Sequence, residues 1–162
     1  TQSRSSAASD VYKRQAFFLI SCAPAYITSH GLKVYGKDTV SKEEVELATE
    51  VVLKHSRKLS TKYNTLADLK DCSLTYVIAP FECEASHTGW CNGSFIIKEC
   101  ELTVVKNSSC VAQTSTAHEL IHMLNWLQER KIHPHNSPLW FEGPFSVNEK
   151  SFRELSNYCE NR

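Results

Sequence analysis

The chain has 162 residues, 41% hydrophobic and 22% charged, which is enough for one real core and too little for a second domain. Its formal net charge is zero, with no basic block and no interleaving of aromatic with basic residues, so nucleic acid and acidic membrane surfaces are excluded as expected partners. Neutrality leaves the substrate open.

Residues 1–15 (TQSRSSAASDVYKRQ) are Ser-rich and polar, unlike the apolar residues after them, and are expected to be a non-native or disordered tail. The run SRSSAASDVYKRQ resembles a translated sequencing-linker peptide. Residues 16–21 begin an apolar run, Ala16-Phe17-Phe18-Leu19-Ile20-Ser21-Cys22, that is too short to span a bilayer and ends in small residues, as the tail of an export signal does. Leu19-Ile20-Ser21-Cys22 resembles the bacterial lipobox, which implies cleavage before Cys22, a lipid on that cysteine, and a basic signal start lost at the junction with the foreign residues. The expected domain is then 22–162, with membrane attachment only through Cys22.

Without Cys22, six cysteines remain: Cys72, Cys83, Cys91, Cys100, Cys110 and Cys159. An even number without any C-x-x-C fits a disulfide framework in an exported protein better than a zinc knuckle, and leaves open all fifteen pairings that six cysteines allow.

After a Pro-containing linker, residues 31–40 (GLKVYGKDTV) alternate around Val34 and Tyr35 as a short strand or hairpin would. Ser41-x-x-Glu44 is a capping box opening a helix to about Leu59, with Val45, Leu47, Ala48, Val51, Val52 and Leu59 on its buried side. His55, among Lys54, Arg57 and Lys58, is expected on the solvated face. Residues 73–79 (SLTYVIA) are β-branched and aromatic and stop at Pro80, as a central strand would. Residues 81–90 are Cys-rich and polar, and His87 is expected in an exposed loop. Phe95-Ile96-Ile97 and Leu102-Thr103-Val104-Val105 are expected to pair as a hairpin across Lys98–Glu101.

The next stretch organises the rest: Thr116-Ala117-His118-Glu119-Leu120-Ile121-His122-Met123-Leu124-Asn125-Trp126-Leu127 contains H-E-x-x-H. At 3.6 residues per turn, His118 and His122 share a face about 6 Å apart along the axis, so two imidazoles reach one ion. Glu119 is rotated off that stripe, as suits a carboxylate that takes a proton from activated water without binding the metal. Ala117, Leu120, Ile121, Leu124 and Leu127 form the packing face; His118, His122, Asn125 and Glu129 fall on another. Thr116-x-x-Glu119 also has the spacing of a capping box, which would explain Glu119 without a metal.

Helix, small sheet and H-E-x-x-H helix in this order resemble the zincin-type metallopeptidases, over roughly residues 41–145. The resemblance implies an α+β fold: an N-terminal helix, a short mixed or antiparallel sheet whose edge strand pairs with extended substrate, the H-E-x-x-H helix and a C-terminal helix, here supported by disulfides. It implies zinc as cofactor, with three protein ligands and one open position.

The third ligand must follow His122. The metzincin-like extension is missing, since Asn125 and Gln128 occupy its last two places. In gluzincin-like enzymes a later glutamate binds, and Asn148-Glu149 is faintly similar to their signature, although Ser146-x-x-Glu149 is also a capping box for a helix through about Cys159. The other route is residues 131–140 (KIHPHNSPLW), where Pro134 and Pro138 stiffen a returning loop. This resembles bacterial extracytoplasmic zinc proteins of zincin type, with a histidine a few residues before Trp; His135 before Trp140 matches best, and His133 is the next candidate.

The expected activity is an exported, zinc-dependent hydrolase, a peptidase acting on a peptide or protein, with His118, His122 and His135 as ligands and Glu119 as base. Tyr158, Asn125 and His133 are candidate oxyanion donors. Two other classes fit the same sequence: a non-catalytic metal-binding module of the cell envelope, and a disulfide-rich binding domain whose H-E-x-x-H is accidental.

Overall fold

The computed structural model describes residues 23–36, 40–57, 69–83, 89–106, 110–130, 135 and 146–161. The expectations for the tail, the export signal and Cys22, and for His87, His133, Pro134, Pro138 and Trp140, lie outside them.

The fold is α+β, as expected. Strand β1 (Tyr26–Ile27) turns back into β2 (Lys33–Tyr35), so the hairpin begins before Gly31, in what reads as linker in the sequence. Helix α1 (Lys42–Arg57) leads to β3 (Ser73–Val77), and β2 and β3 are parallel, as strands joined by a helical crossover are. A two-residue ladder, β4 (Phe81–Glu82) with β5 (Trp90–Cys91), precedes the antiparallel hairpin of β6 (Gly93–Ile96) and β7 (Glu101–Val105). Because β7 is parallel to β3, the main sheet is mixed, in the order β1-β2-β3-β7-β6. SLTYV is central, flanked by parallel strands on both sides and buried at Leu74, Thr75 and Tyr76, which is why it reads as a nearly continuous apolar run.

Two further helices complete the chain: α2 (Thr116–Glu129), entered through a short 3-10 turn at Val111–Gln113, and α3 (Val147–Glu160). The core joins Val45, Ala48 and Val52 of α1, Leu74 and Leu102 of the sheet, Leu120 and Leu124 of α2, and Val147 and Leu155 of α3. Leu47 of α1 is only partly buried, and Leu59 is outside the described residues.

His55 is a correction. It is 8% exposed rather than solvated, because α3 packs over this end of α1 and brings the Glu154 carboxylate 2.9 Å from its Nε2. Lys54 Nζ donates to the other oxygen of Glu154 at 2.8 Å, so a single carboxylate ties α3 to two adjacent residues of α1. The lysine hydrogen bond, ahead of the His55 contact, holds the Glu154 carboxyl below its ordinary pKa.

The six cysteines pair as Cys72–Cys100, Cys83–Cys91 and Cys110–Cys159, with Cα separations of 4.7, 5.9 and 6.2 Å. These bonds join the start of β3 to the turn of the β6–β7 hairpin just before β7, close the β4–β5 ladder, and tie the entry of α2 to the end of α3. They point to an oxidising, extracytoplasmic environment. No described helix is long and apolar enough to cross a membrane.

Candidate metal centre

Helix α2 is set in place from the central strand. Tyr76 Oη donates to Thr116 Oγ1 (2.8 Å), Thr116 to Thr114 Oγ1 (2.6 Å), and Thr114 to the carbonyl of Val111 (2.8 Å); the last bond can only be donated by the hydroxyl, which sets the direction of the whole chain. The Thr116–Glu119 capping box does not form: Thr116 is already helical, Ser115 is the N-cap, and the Glu119 N–H bonds the Ser115 carbonyl at 3.0 Å. At the other end Arg130 adopts a left-handed conformation (φ 55°), donates its N–H to Trp126 O at 2.9 Å, and lays its guanidinium over the Trp126 ring, 5.8 Å from the centroid. The helix therefore stops five residues before His135.

His118 and His122 lie one turn apart with ring centroids 5.0 Å from each other, as the helical spacing requires. His135 joins them: its Nε2 is 3.1 Å from Nε2 of His118 and 3.1 Å from Nε2 of His122. A neutral imidazole carries one N–H, so one proton on His135 serves only one of these contacts. A cation serves all of them. Metal–nitrogen bonds of about 2.0–2.1 Å in a tetrahedron put neighbouring ligand nitrogens about 3.3 Å apart, close to the separations found. Burial first, then the neighbouring histidines, lowers the pKa of His118 to about 4 and of His122 to about 3, so both rings are neutral at pH 7, as ligands must be. The residues fit a tetrahedral metal with an open position.

Asn148, at the start of α3, hydrogen-bonds His118 through its side chain. This contact opposes the lowering of the His118 pKa by burial and by His135.

Glu119 is 5% exposed, and burial raises its carboxyl pKa to about 8. A dication nearby acts in the opposite sense. The carboxylate lies against Gly93 at the start of β6, where a Cβ would stand 2.5 Å from Oε1 and 2.9 Å from Cγ. Only a residue without a side chain lets the edge strand come this close. His118 and Glu119 open onto a cleft of about 480 Å³ bounded by Gly93 of the edge strand and Asn92 just before it, Thr114 and Ser115, and the first turns of α3.

No protein family, curated protein or solved structure matches the chain. The site is therefore read from its own geometry.

Among the described candidates for third ligand, His135 and Glu149, it is His135 that stands with His118 and His122. The Glu149 carboxylate, 48% exposed, faces Arg153 at 3.4 Å, while its N–H donates to Ser146 Oγ at 3.0 Å, so the cap expected from Ser146-x-x-Glu149 does form. Of the described candidate oxyanion donors, Asn125 is 1% exposed, buried although it shares the histidine stripe, and Tyr158 stands near the far end of α3; neither lines the cleft. Sequence reasoning missed Gly93, and noticed Asn148 only as the neighbour of Glu149. A glycine opening a strand beside a metal helix is the one signal that marked Gly93 in advance.

Proposed function

We propose that this chain is an exported, zinc-dependent peptidase of zincin type, with His118, His122 and His135 as ligands and Glu119 as general base. The observation that carries the reading is the convergence of three imidazole Nε2 atoms beside a buried glutamate that opens onto a cleft. Zinc, when bound, polarises a substrate carbonyl and lowers the pKa of water toward about 7.

The chain's own residues supply the rest. Asn148 steadies the His118 ring through its side chain. Glu119, within the cleft and free of ligand duty, accepts a proton from the attacking water and returns it to the leaving amine, a role worth roughly 10² to 10⁴ in rate. Strand β6 is last in the sheet order, so its outer edge offers backbone groups to an extended peptide, which adds as one more strand. With Gly93 in that strand, such a peptide runs directly past Glu119. A lipid on Cys22, carried by the sequence Leu19–Cys22 alone, is our proposal for how the domain is held at the cell envelope.

The test pairs metal analysis with peptide-library cleavage on wild type and Glu119→Gln. We expect about one zinc per chain in both, cleavage by wild type, and a loss of at least about 10² in the variant. Full zinc with no cleavage of any peptide transfers the reading to a non-catalytic metal-binding module. Less than one equivalent of zinc, with no stabilisation by added metal, leaves a disulfide-rich binding domain.

A further inference from the structure

Among the asparagines of the chain only Asn92 is followed by glycine, and the pair lies at the bend where β5 passes into β6. Asn92 is exposed and, with Gly93, lines the cleft onto which His118 and Glu119 open. Its carbonyl accepts from the N–H of Val105 on β7 at 2.7 Å. A trans peptide points its N–H opposite to its C=O, so the Gly93 N–H faces away from β7, toward the outer side of β6, the last strand in the sheet order. Gly93 has no Cβ to shield that nitrogen, whereas every other asparagine precedes a residue that has one.

An exposed asparagine before an unshielded peptide nitrogen can modify itself. The Gly93 nitrogen gives up its proton to solvent and attacks Cγ of Asn92; the N–Cγ bond forms, the Cγ–Nδ2 bond breaks, and Nδ2 takes a proton from water and leaves as ammonia. The succinimide ring then takes up one water at either carbonyl, giving aspartate, or isoaspartate with the main chain running through Cβ and Cγ. Nothing is oxidised or reduced, and water is the only co-reactant. Closing the ring turns the Asn92–Gly93 peptide and opens its bond from Val105, a local event at the entry of an edge strand. We propose that Asn92–Gly93 is a self-modification site, deamidating in the folded protein, and that its isoaspartate product unfastens the start of β6 from β7. Either product adds a carboxylate to a cleft already lined by Glu119 and Glu149. Isoaspartate also inserts a main-chain carbon just before Gly93, where a Cβ would already stand 2.5 Å from Glu119 Oε1. The chemistry is independent of what the cleft acts upon.

The full chain, disulfides intact, is held for days at neutral pH and body temperature and mapped by peptide mass spectrometry, with Asn157, exposed on α3, as the internal control. The peptide containing Asn92 should gain about 1 Da, as isoaspartate and aspartate, at least about tenfold faster than the peptide containing Asn157. Its rate should also lie within about 30-fold of that of a free peptide of residues 90–96, in which no ladder holds the pair. Asn92→Gln should show no gain at this position. A smaller ratio to Asn157, or a rate further below that of the free peptide, overturns the proposal, since the fold would then be protecting the pair. The isoaspartate form, separated by ion exchange, should exchange the Val105 amide proton at least about tenfold faster than the unmodified chain, whereas Asn92→Asp, which adds the charge without the carbon, should not. Equal protection of Val105 in the isoaspartate and aspartate forms overturns the unfastening of β6.

Discussion

Gly93 and Glu119 touch: the place where a Cβ on Gly93 would stand lies 2.5 Å from the carboxylate Oε1, so the edge strand and the proposed base occupy adjoining space with none to spare. Gly93→Ala should therefore displace the carboxylate while leaving the three histidines alone. A misplacement near 1 Å is worth about 10²-fold in rate, and we expect a loss of that order with zinc content unchanged. Hydrolysis and metal content of the purified variant decide it. Activity within about threefold of wild type would show that contact with β6 does not set the position of Glu119.

Two variants distinguish the candidate third ligands. His135→Ala should weaken zinc binding by well over about 100-fold, since it removes one of three nitrogens. Glu149→Ala should leave affinity intact and cost about 0.5 kcal/mol or less, because it removes only an exposed pair with Arg153 and leaves the Ser146 cap in place. Competition against a chelator of known affinity measures both. Asn148→Ala, read in the same titration, should fall between them at about 10- to 100-fold, the size of effect expected when a ligand loses its orienting partner.

The disulfides should differ in their contribution to stability. Cys110 and Cys159 close a separation of 49 residues and Cys83 and Cys91 one of 8. On chain entropy alone, replacing the first pair with serine costs about 4 kcal/mol and the second about 2.5 kcal/mol. Urea unfolding of the two double variants gives the order. If loss of Cys83–Cys91 proved the more damaging, native-state packing of the β4–β5 ladder, and not loop entropy, would dominate.

The Glu154 clamp has a pH signature. Its carboxyl pKa is lowered in the folded chain by Lys54 and then by His55, so folding is favoured by the ionised form. That contribution is complete above the ordinary carboxyl value of 4.5 and is lost as pH falls through the lower folded value. Wild type should exceed Glu154→Gln in stability by a constant amount from pH 7 to about 5, with the gap closing below that. The carboxylate is 38% exposed, so the gap should not exceed about 1 kcal/mol. Urea midpoints across the pH series measure it, and a gap that widened toward acid would contradict the assignment.

Much of the fold was legible in the chain because the signals are local. The apolar period of residues 116–127, the β-branched run at 73–79, the Phe95–Val105 hairpin and the Ser146 cap each depend on neighbours within a few residues, and each element forms, with the strands at Ser73–Val77, Gly93–Ile96 and Glu101–Val105 shifted by one or two residues at their ends. H-E-x-x-H belongs to the same class, since one helical turn is enough to bring His118 beside His122. His55 looked solvated because Lys54, Arg57 and Lys58 are its neighbours in sequence; what covers it is α3, whose Glu154 lies 99 residues away. The pairing of the six cysteines, the packing of Gly93 against Glu119, the bond from Asn148 to His118 and the meeting of His135 with the helix are of this second kind. Each joins segments that share no periodicity and meet only when α1, the sheet and α3 close around α2. Sequence by itself determined which side chains could carry the chemistry, through residue type and helical spacing; only the tertiary structure decided which of them meet, because contact between distant segments is set by packing the whole core.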